Sequence, residues 1–135
     1  MRTTRVLLAD DHEAILAAAA AVLEGEFQVV GSVRDGTALL IAAAELKPDI
    51  VVLDISMPLL HGFQTAREIC RTHPHPRIVF LTVHEDADFA RAAFAAGGLC
   101  YVVKSRLASD LLPALRAAIA GKIFLSPTVD LGAAA

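Results

Sequence analysis

The amino-acid sequence predicts an α/β fold in which a doubly wound parallel sheet carries helices on both faces. The first observation is a set of five short runs rich in β-branched residues or leucine, each typical of a strand. The runs are RVLLA (5–9), FQVVGSV (27–33), DIVVLD (49–54), RIVFLT (77–82) and CYVVK (100–104). The second observation is that segments with helical spacing alternate with these runs five times. The third is that the third and fourth runs are apolar almost throughout, as parallel strands buried on both faces require.

Each predicted helix has one apolar face and ends at a helix-breaking residue. The apolar faces that show this spacing best are Ile15, Leu16, Ala19, Val22 and Leu23 in the first helix, Leu39, Leu40 and Ala43 in the second, and Leu111, Leu112, Leu115, Ala118 and Ile119 in the fifth. The breakers, in chain order, are Gly25, Lys47-Pro48, the HPHP stretch at 73–76, Gly97-Gly98 and Gly121. This punctuation divides the chain into five strand and helix units with no further repeat.

The C-terminal part of the sequence carries two features that need separate interpretation. Pro113 falls within the last helical pattern, and we expect Ser109 to cap that helix, so that the proline lies in the first turn or just beyond it. The tail SPTVDLGAAA (126–135) offers little to pack and is expected to begin a linker. We therefore place one domain at residues 1–122 and a tail at residues 123–135.

Length, composition and charge exclude several classes of protein. The chain has 135 residues, of which 56% are hydrophobic, so it is long enough for one domain with a proper core. Its formal net charge of −3 without a basic stripe argues against direct binding of nucleic acid or an anionic membrane. The longest apolar run, Ala14 to Leu23, is well short of the roughly 20 residues of a membrane span.

The N-terminus and the cysteines indicate a reducing, cytoplasmic location. Only VLLA separates Arg5 from the first acid, which is too short for the apolar core of a secretory signal. Cys70 and Cys100 are far apart and form no CxxC motif, so we expect ordinary thiols without a redox role.

Three carboxylates are predicted to meet at one edge of the sheet. In the strand order 2-1-3-4-5, the ligand crevice lies beyond the carboxyl ends of strands one and three. Asp10 and Asp11 follow strand one, and Asp54 ends strand three. Three anions in close contact repel one another unless a hard cation lies among them, and a site of few carboxylates suits Mg²⁺. The alternative is that Asp10 and Asp11 cap the first helix, and these three acids alone favour neither interpretation.

The ends of the remaining strands carry complementary groups. Strand four ends in Thr82 and strand five in Lys104. A carboxylate beside a divalent cation, a hydroxyl donor and an ammonium group together suit a transferred phosphoryl group, with Asp54 as the nucleophile. Five polar residues with compatible roles favour this functional interpretation over chance placement at strand ends.

These residues belong to stretches that resemble the receiver domain of bacterial two-component response regulators. The matching stretches are LLADDH (7–12), VVLDISMPLLHG (51–62), IVFLTVH (78–84) and YVVKS (101–105), in family order and at family spacing. The resemblance extends from Thr4 to about Pro127. It implies a flavodoxin-like fold, with a five-stranded sheet in the order 2-1-3-4-5 and five helices.

The resemblance implies a phosphoacceptor site rather than an enzyme with its own substrate. Asp54 would accept a phosphoryl group from a sensor histidine kinase, with self-phosphorylation and self-dephosphorylation as the only catalysis. Mg²⁺ would be bound by Asp10, Asp11, Asp54 and the backbone carbonyl of Ser56. We expect Asp11 rather than Asp10 to touch the metal directly.

The resemblance also implies a switch and its partners. Lys104 would pair with the acyl phosphate, Thr82 would turn inward to a phosphoryl oxygen, and Tyr101 would change rotamer as Thr82 moves. The face built from helix four, strand five and helix five would then carry the output, and phosphorylation would favour a homodimer.

Within the family the sequence is most similar to the LuxR/NarL-type transcription regulators. The similar features are DDHEAIL (10–16), Ser105 in place of proline after Lys104, and AAIAGKIFLSP (117–127). Such regulators carry a helix-turn-helix domain that these residues do not encode, so DNA would be bound only through a domain absent here. Two positions depart from the family, since Leu59 and Cys100 each replace a common glycine, and Leu99 adds apolar bulk.

Other interpretations are weaker. A haloacid-dehalogenase-type phosphatase would carry D-x-D after strand one, and a nucleotide-binding domain would not place the acidic ADDHE loop (9–13) there. A stand-alone or phosphorylation-independent protein-interaction module of the same fold is the main alternative. A metal site at Cys70, His73 and His75 is disfavoured because prolines make that stretch a turn. We assign no role to His12 or His84.

Overall fold

All five predicted strands and five predicted helices are present in the computed structural model, which describes residues 3–72 and 74–131. The elements are β1 (Arg5–Ala9), α1 (Glu13–Leu23), β2 (Gln28–Val33), α2 (Gly36–Leu46), β3 (Ile50–Leu53), α3 (Gly62–Cys70), β4 (Arg77–Thr82), α4 (Ala87–Ala95), β5 (Gly98–Val103), a 3-10 turn (Lys104–Arg106), α5 (Leu107–Ile119) and β6 (Phe124–Leu125). Within these described residues, no helix has the length and apolar character needed to cross a membrane.

The sheet is parallel throughout and has the order β2-β1-β3-β4-β5-β6. The predicted order of the first five strands is confirmed, but the prediction of five strands is wrong by one. The sixth strand pairs Phe124 with Cys100 and Leu125 with Tyr101 along the outer edge of β5. Two residues are too few to show the periodicity by which a strand is recognised in a sequence.

Successive strand residues alternate between two apolar layers, one on each face of the sheet. In β3, Val51 packs with α2, α3 and α4, whereas Val52 packs with α1 and α5. All four residues of β3 are buried, which explains why this run is apolar without alternation. Polar groups that follow these strands therefore lie at the carboxyl edge of the sheet, beyond the two apolar layers.

The start of α5 differs from the prediction. The 3-10 turn at Lys104–Arg106 leads straight from β5 into the helix, so α5 begins at Leu107 and Arg106 occupies the N-cap. Ser109 is therefore not the cap but an interior residue, and its hydroxyl donates to the Arg106 carbonyl at 3.2 Å. Pro113 therefore lies in the second turn of α5, about one turn further from the start of the helix than we predicted with Ser109 as the cap.

The tail that was expected to have little to pack lies against the domain as far as Leu131. Ser126 is buried, and Val129 is buried in the apolar layer that also contains Tyr101. Leu131 packs against the same layer. Without the tail, the outer edge of β5 would leave backbone donors and acceptors unpaired. Pairing with this edge explains why the tail lies against the domain.

Candidate functional site

The carboxyl ends of β1 and β3 bring the predicted acids together. Asp10 follows β1 and Asp54 follows β3, and they are 2% and 4% exposed. Ligand atoms of Asp10, Asp11, His12 and Asp54 all lie within 4.8 Å of one another. His12 therefore belongs to this cluster, although we assigned it no role from the sequence. Its position directly after the two acids was the one sequence feature that pointed to the cluster.

Lys104 supplies the positive charge of this cluster. Its Nζ lies 2.7 Å from Asp10 Oδ2 and 3.3 Å from Asp54 Oδ2, and the lysine side chain is itself 8% exposed. The residue begins the turn after β5, so its position is fixed by the parallel sheet that also places the two acids. One ammonium group is therefore shared between two buried carboxylates.

The Asp54 carboxyl is held in an environment that disfavours its charged form. Burial raises its pKa, the Lys104 ammonium lowers it, and the neighbouring Asp10 raises it, with a net shift upward. The Ser56 backbone N–H also favours the charged form, since it donates to Asp54 Oδ1 at 3.3 Å. The result is a buried carboxylate that is more basic than an ordinary aspartate and is still paired with a cation.

The helix-capping alternative for Asp10 and Asp11 is not what the structure shows. The N-cap of α1 is His12, and its side chain makes no capping hydrogen bond to the helix. Asp10 Oδ1 instead accepts the His12 backbone N–H at 2.8 Å, two residues along the chain. This local turn orients the Asp10 carboxylate and leaves its other oxygen directed into the cluster.

The residues present fit a hard divalent cation. Asp10 Oδ2 and Asp11 Oδ1 are buried and accept no hydrogen bond from the described residues. Both atoms do lie within ion-pair distance of a nitrogen, Asp10 Oδ2 of Lys104 Nζ and Asp11 Oδ1 of His12 Nδ1 at 3.0 Å. Carboxylate oxygens are ligands that Mg²⁺ takes in proteins, so the acid cluster has both the chemistry and the charge for this ion.

Thr82 and Tyr101 are connected to each other through the backbone of His84. Thr82 ends β4 and is fully buried, and its Oγ1 accepts the His84 backbone N–H at 3.2 Å. Tyr101 is also fully buried, and its hydroxyl donates to the His84 carbonyl at 2.8 Å. Burial raises the pKa of the Tyr101 hydroxyl, so it stays protonated and able to donate.

The His84 side chain lies between this pair and the β3–α3 loop. Its ring stacks on Phe89 with centroids 3.9 Å apart and planes inclined by 2°. Its Nε2 lies 3.4 Å from Ser56 Oγ. The structure therefore joins Thr82 and Tyr101 to Ser56, whose N–H contacts Asp54, through a histidine to which sequence reasoning gave no role.

The two departures from the family pattern have different structural settings. Leu59 is 78% exposed and has a φ of 72°, in the left-handed region where glycine is favoured. Cys100 is fully buried between β5 and α5, with Sγ 3.4 Å from the Ala114 carbonyl. Burial raises the pKa of its thiol to about 11, so Cys100 is a packing residue rather than a reactive one.

The disfavoured metal hypothesis at Cys70, His73 and His75 gains no support. His73 lies outside the described residues. Among the residues that are described, no group of candidate ligands includes Cys70 or His75. The acid cluster is the candidate metal site that the described part of the chain contains.

A parallel sheet with paired acids and a lysine at the carboxyl ends of its strands defines the receiver class. Residues 6–116 match the response regulator receiver domain, and the chain belongs to this family. The family consists of regulatory domains and is not a known enzyme family.

Individual relatives agree with the LuxR/NarL-type resemblance. The chain is 37% identical over 120 residues to the transcriptional regulatory protein LiaR of Bacillus subtilis, covering 87% of this chain and 57% of LiaR. A LuxR-family response regulator from Aurantimonas sp. SI85-9A1 has a TM-score of 0.89 at 32% identity, covering 95% of this chain and 93% of that one. The isolated receiver domain of RcsB from Salmonella enterica serovar Typhimurium, solved with the phosphomimetic BeF₃⁻, has a TM-score of 0.86 at 29% identity, covering 95% and 96%. The chain spans little more than half the length of the curated relatives that it matches.

Proposed function

We propose that this domain is the phosphoacceptor switch of a two-component response regulator, and that Asp54 accepts the phosphoryl group from a sensor histidine kinase. The observation that carries the proposal is the buried Asp54 carboxylate, 3.3 Å from Lys104 Nζ and clustered with Asp10 and Asp11. A single acid at a strand end would not support this proposal, because such residues are common at protein surfaces.

In the transfer step, an Asp54 carboxylate oxygen bonds to phosphorus while the bond from phosphorus to the kinase histidine breaks. Lys104 raises the ionised fraction of Asp54 before transfer and pairs with the phosphoryl oxygens after it. Asp10, Asp11, Asp54 and the Ser56 carbonyl would hold Mg²⁺. When bound, this ion neutralises charge on the equatorial phosphoryl oxygens.

Thr82 and Tyr101 would convert the modified site into a change at the output face. Thr82 Oγ1 accepts the His84 N–H, and a hydroxyl that accepts one bond can still donate its own proton to a phosphoryl oxygen. The Tyr101 hydroxyl is bonded to the same His84, so movement of Thr82 alters the setting of the aromatic ring. Phosphorylation then shifts an existing equilibrium at the face formed by α4, β5 and α5.

The partners follow from this role and from the relatives. A sensor histidine kinase supplies the phosphoryl group, and a homodimer forms on phosphorylation. LiaR is named a transcriptional regulatory protein, which supports regulation of transcription through a helix-turn-helix domain outside these residues. The domain would work in the cytoplasm, with self-phosphorylation and self-dephosphorylation as its only catalysis.

The test is intact mass spectrometry after incubation with Mg²⁺ and a small-molecule phosphoryl donor such as acetyl phosphate. Wild type is expected to gain one phosphoryl group, and Asp54→Asn none. Asp88→Asn is the matched control, since Asp88 is an exposed acid in α4 whose side chain is 95% exposed, and it should be labelled like wild type. Equal labelling of wild type and Asp54→Asn would overturn the assignment of Asp54.

A further inference from the structure

The last described segment of the chain, residues 124–131, is here called the strap. It runs along the outer edge of β5, where Leu125 pairs with Tyr101 and the Ser126 backbone N–H donates to the Tyr101 carbonyl at 2.9 Å. Further along, Val129 is buried in the apolar layer that also contains residues of α2, α3 and α4, and Leu131 packs against the same layer. The strap therefore covers the outer edge of β5 and packs into the apolar layer on one face of the sheet.

A buried polar network fixes the strap at its midpoint. Ser126 is fully buried; its hydroxyl donates to Asp110 Oδ2 at 2.7 Å and accepts the Val103 backbone N–H at 3.0 Å. Asp110 in turn receives Arg106 Nε at 2.8 Å. Burial alone would raise the pKa of Asp110, but the hydrogen bonds from Arg106, Ser126 and Ser109 outweigh it and lower the pKa, so the carboxylate is charged at neutral pH.

Protecting the edge of β5 would not require a buried polar network of this kind. Apolar contacts and backbone pairing alone would protect the edge of β5, whereas a charged carboxylate inside the contact must be fully satisfied to be tolerated. Asp110 and Ser126 meet that condition only when the strap is in one register. The strap consequently has one seated position.

The seated strap holds Tyr101 from two sides. The Tyr101 carbonyl accepts the Ser126 N–H, while its ring lies in one apolar layer with Val129 and 6.5 Å from the ring of Phe94 in α4. Because Tyr101 is fully buried, its ring can reach solvent only if one of these neighbours moves. At its other end the Tyr101 hydroxyl is bonded to His84, whose N–H is bonded to Thr82.

We propose that the strap is a wedge that keeps Tyr101 in its buried rotamer and thereby couples the C-terminal segment to the phosphoryl site. This inference rests on the proposed function, in which Thr82 and Tyr101 respond to modification of Asp54. The seated strap stabilises the Thr82–His84–Tyr101 arrangement, and the phosphorylated state would favour this buried setting of Tyr101. Since coupling between two sites is reciprocal, a phosphoryl mimic at Asp54 tightens the strap, and a loosened strap weakens binding of the mimic.

The test compares hydrogen exchange of the 135-residue chain with and without Mg²⁺ and beryllium fluoride, a phosphoryl mimic. In wild type, the mimic is expected to slow exchange both in peptides around Asp54 and Thr82 and in the strap. Val129→Ala removes the buried side chain of the strap and is expected to abolish the protection of the strap. It should also weaken binding of the mimic about fivefold or more, which is the lower end of typical coupling between two sites. Ile123→Ala is the matched control, because Ile123 precedes the strap and is 69% exposed, and it should behave like wild type.

The outcomes separate the wedge from the proposed function. Protection around Asp54 without any change in the strap overturns the wedge and leaves the phosphoacceptor role standing. Equal affinity for the mimic in wild type and Val129→Ala also overturns it. No protection at either place contradicts the phosphoacceptor role itself. Ser126→Ala breaks the network independently and should show the same loss of coupling, and circular dichroism confirms that each variant is folded.

Discussion

Leu59 lies in the loop between β3 and α3 in a backbone conformation that an L-amino acid resists. Its φ is 72°, and its side chain is 78% exposed, so it gains little from packing in return. The left-handed conformation costs an L-residue roughly 1–2 kcal/mol. Glycine avoids that cost but loses about 0.5–1 kcal/mol through the greater freedom of the unfolded chain. Leu59→Gly is therefore expected to stabilise the domain by about 0.5–1 kcal/mol.

The measurement is urea denaturation of wild type, Leu59→Gly and Leu59→Ala, supported by thermal melts. Leu59→Ala is the matched control, because it removes the same exposed apolar atoms and keeps the Cβ that clashes at positive φ. It should stay within about 0.5 kcal/mol of wild type, as surface substitutions usually do. Leu59→Gly should raise the melting temperature by about 2–5 °C at this chain length.

A glycine variant no more stable than the alanine variant would refute the argument from strain. A stabilised glycine variant would show that wild type stores strain in the loop that follows Asp54. Strain of this kind persists only where the surrounding structure holds it. Gly62, at the far end of the same loop, shows the constraint, since a Cβ there would lie 2.6 Å from the Asp54 carbonyl oxygen.

Two further predictions concern the charges of the site. Asp54→Asn should be more stable than wild type in metal-free buffer at pH 7, because burial raises the pKa of Asp54 in the folded state. The stability that protonated Asp54 contributes is present below its unfolded pKa of about 4 and is lost as the pH rises through the folded pKa. The advantage of the variant in urea denaturation should therefore grow from pH 4 to pH 7, and a constant difference would contradict this origin. Millimolar Mg²⁺ should raise the melting temperature of wild type by relieving carboxylate repulsion, and less so in Asp11→Asn; equal shifts in the two proteins would argue against Asp11 as a ligand.

The sequence was sufficient for the order of the first five strands and for the place where the acids meet. Runs such as DIVVLD (49–54) are buried on both faces, so their apolar character identifies them without a partner. Since all carboxyl ends of a parallel sheet share one edge, residues that follow different strands, such as Asp10, Asp54 and Lys104, are brought together by topology alone.

What the sequence could not supply are contacts made by backbone atoms and by isolated side chains. His84 links Thr82 to Tyr101 through its N–H and carbonyl, groups that any residue except proline carries, so its identity gave no signal. The strap is similar, because its buried apolar residue, Val129, has a polar residue on each side, Thr128 and Asp130. Such a segment has no periodicity, and only the bare edge of β5 explains where it packs.

The charge balance of the cluster explains why a lysine alone would not sustain the proposed chemistry. Asp10, Asp11 and Asp54 present three carboxylates to the single ammonium of Lys104, which lies closer to Asp10 than to Asp54. If Asp54 is phosphorylated as proposed, the added negative charge would draw Lys104 away from its shorter contact with Asp10. Asp10 Oδ2 would then be a buried carboxylate oxygen without a cation, which is strongly unfavourable. A divalent ion among the acids would remove this conflict, so under the proposed function the phosphorylated state is expected to be more stable with Mg²⁺ than without it.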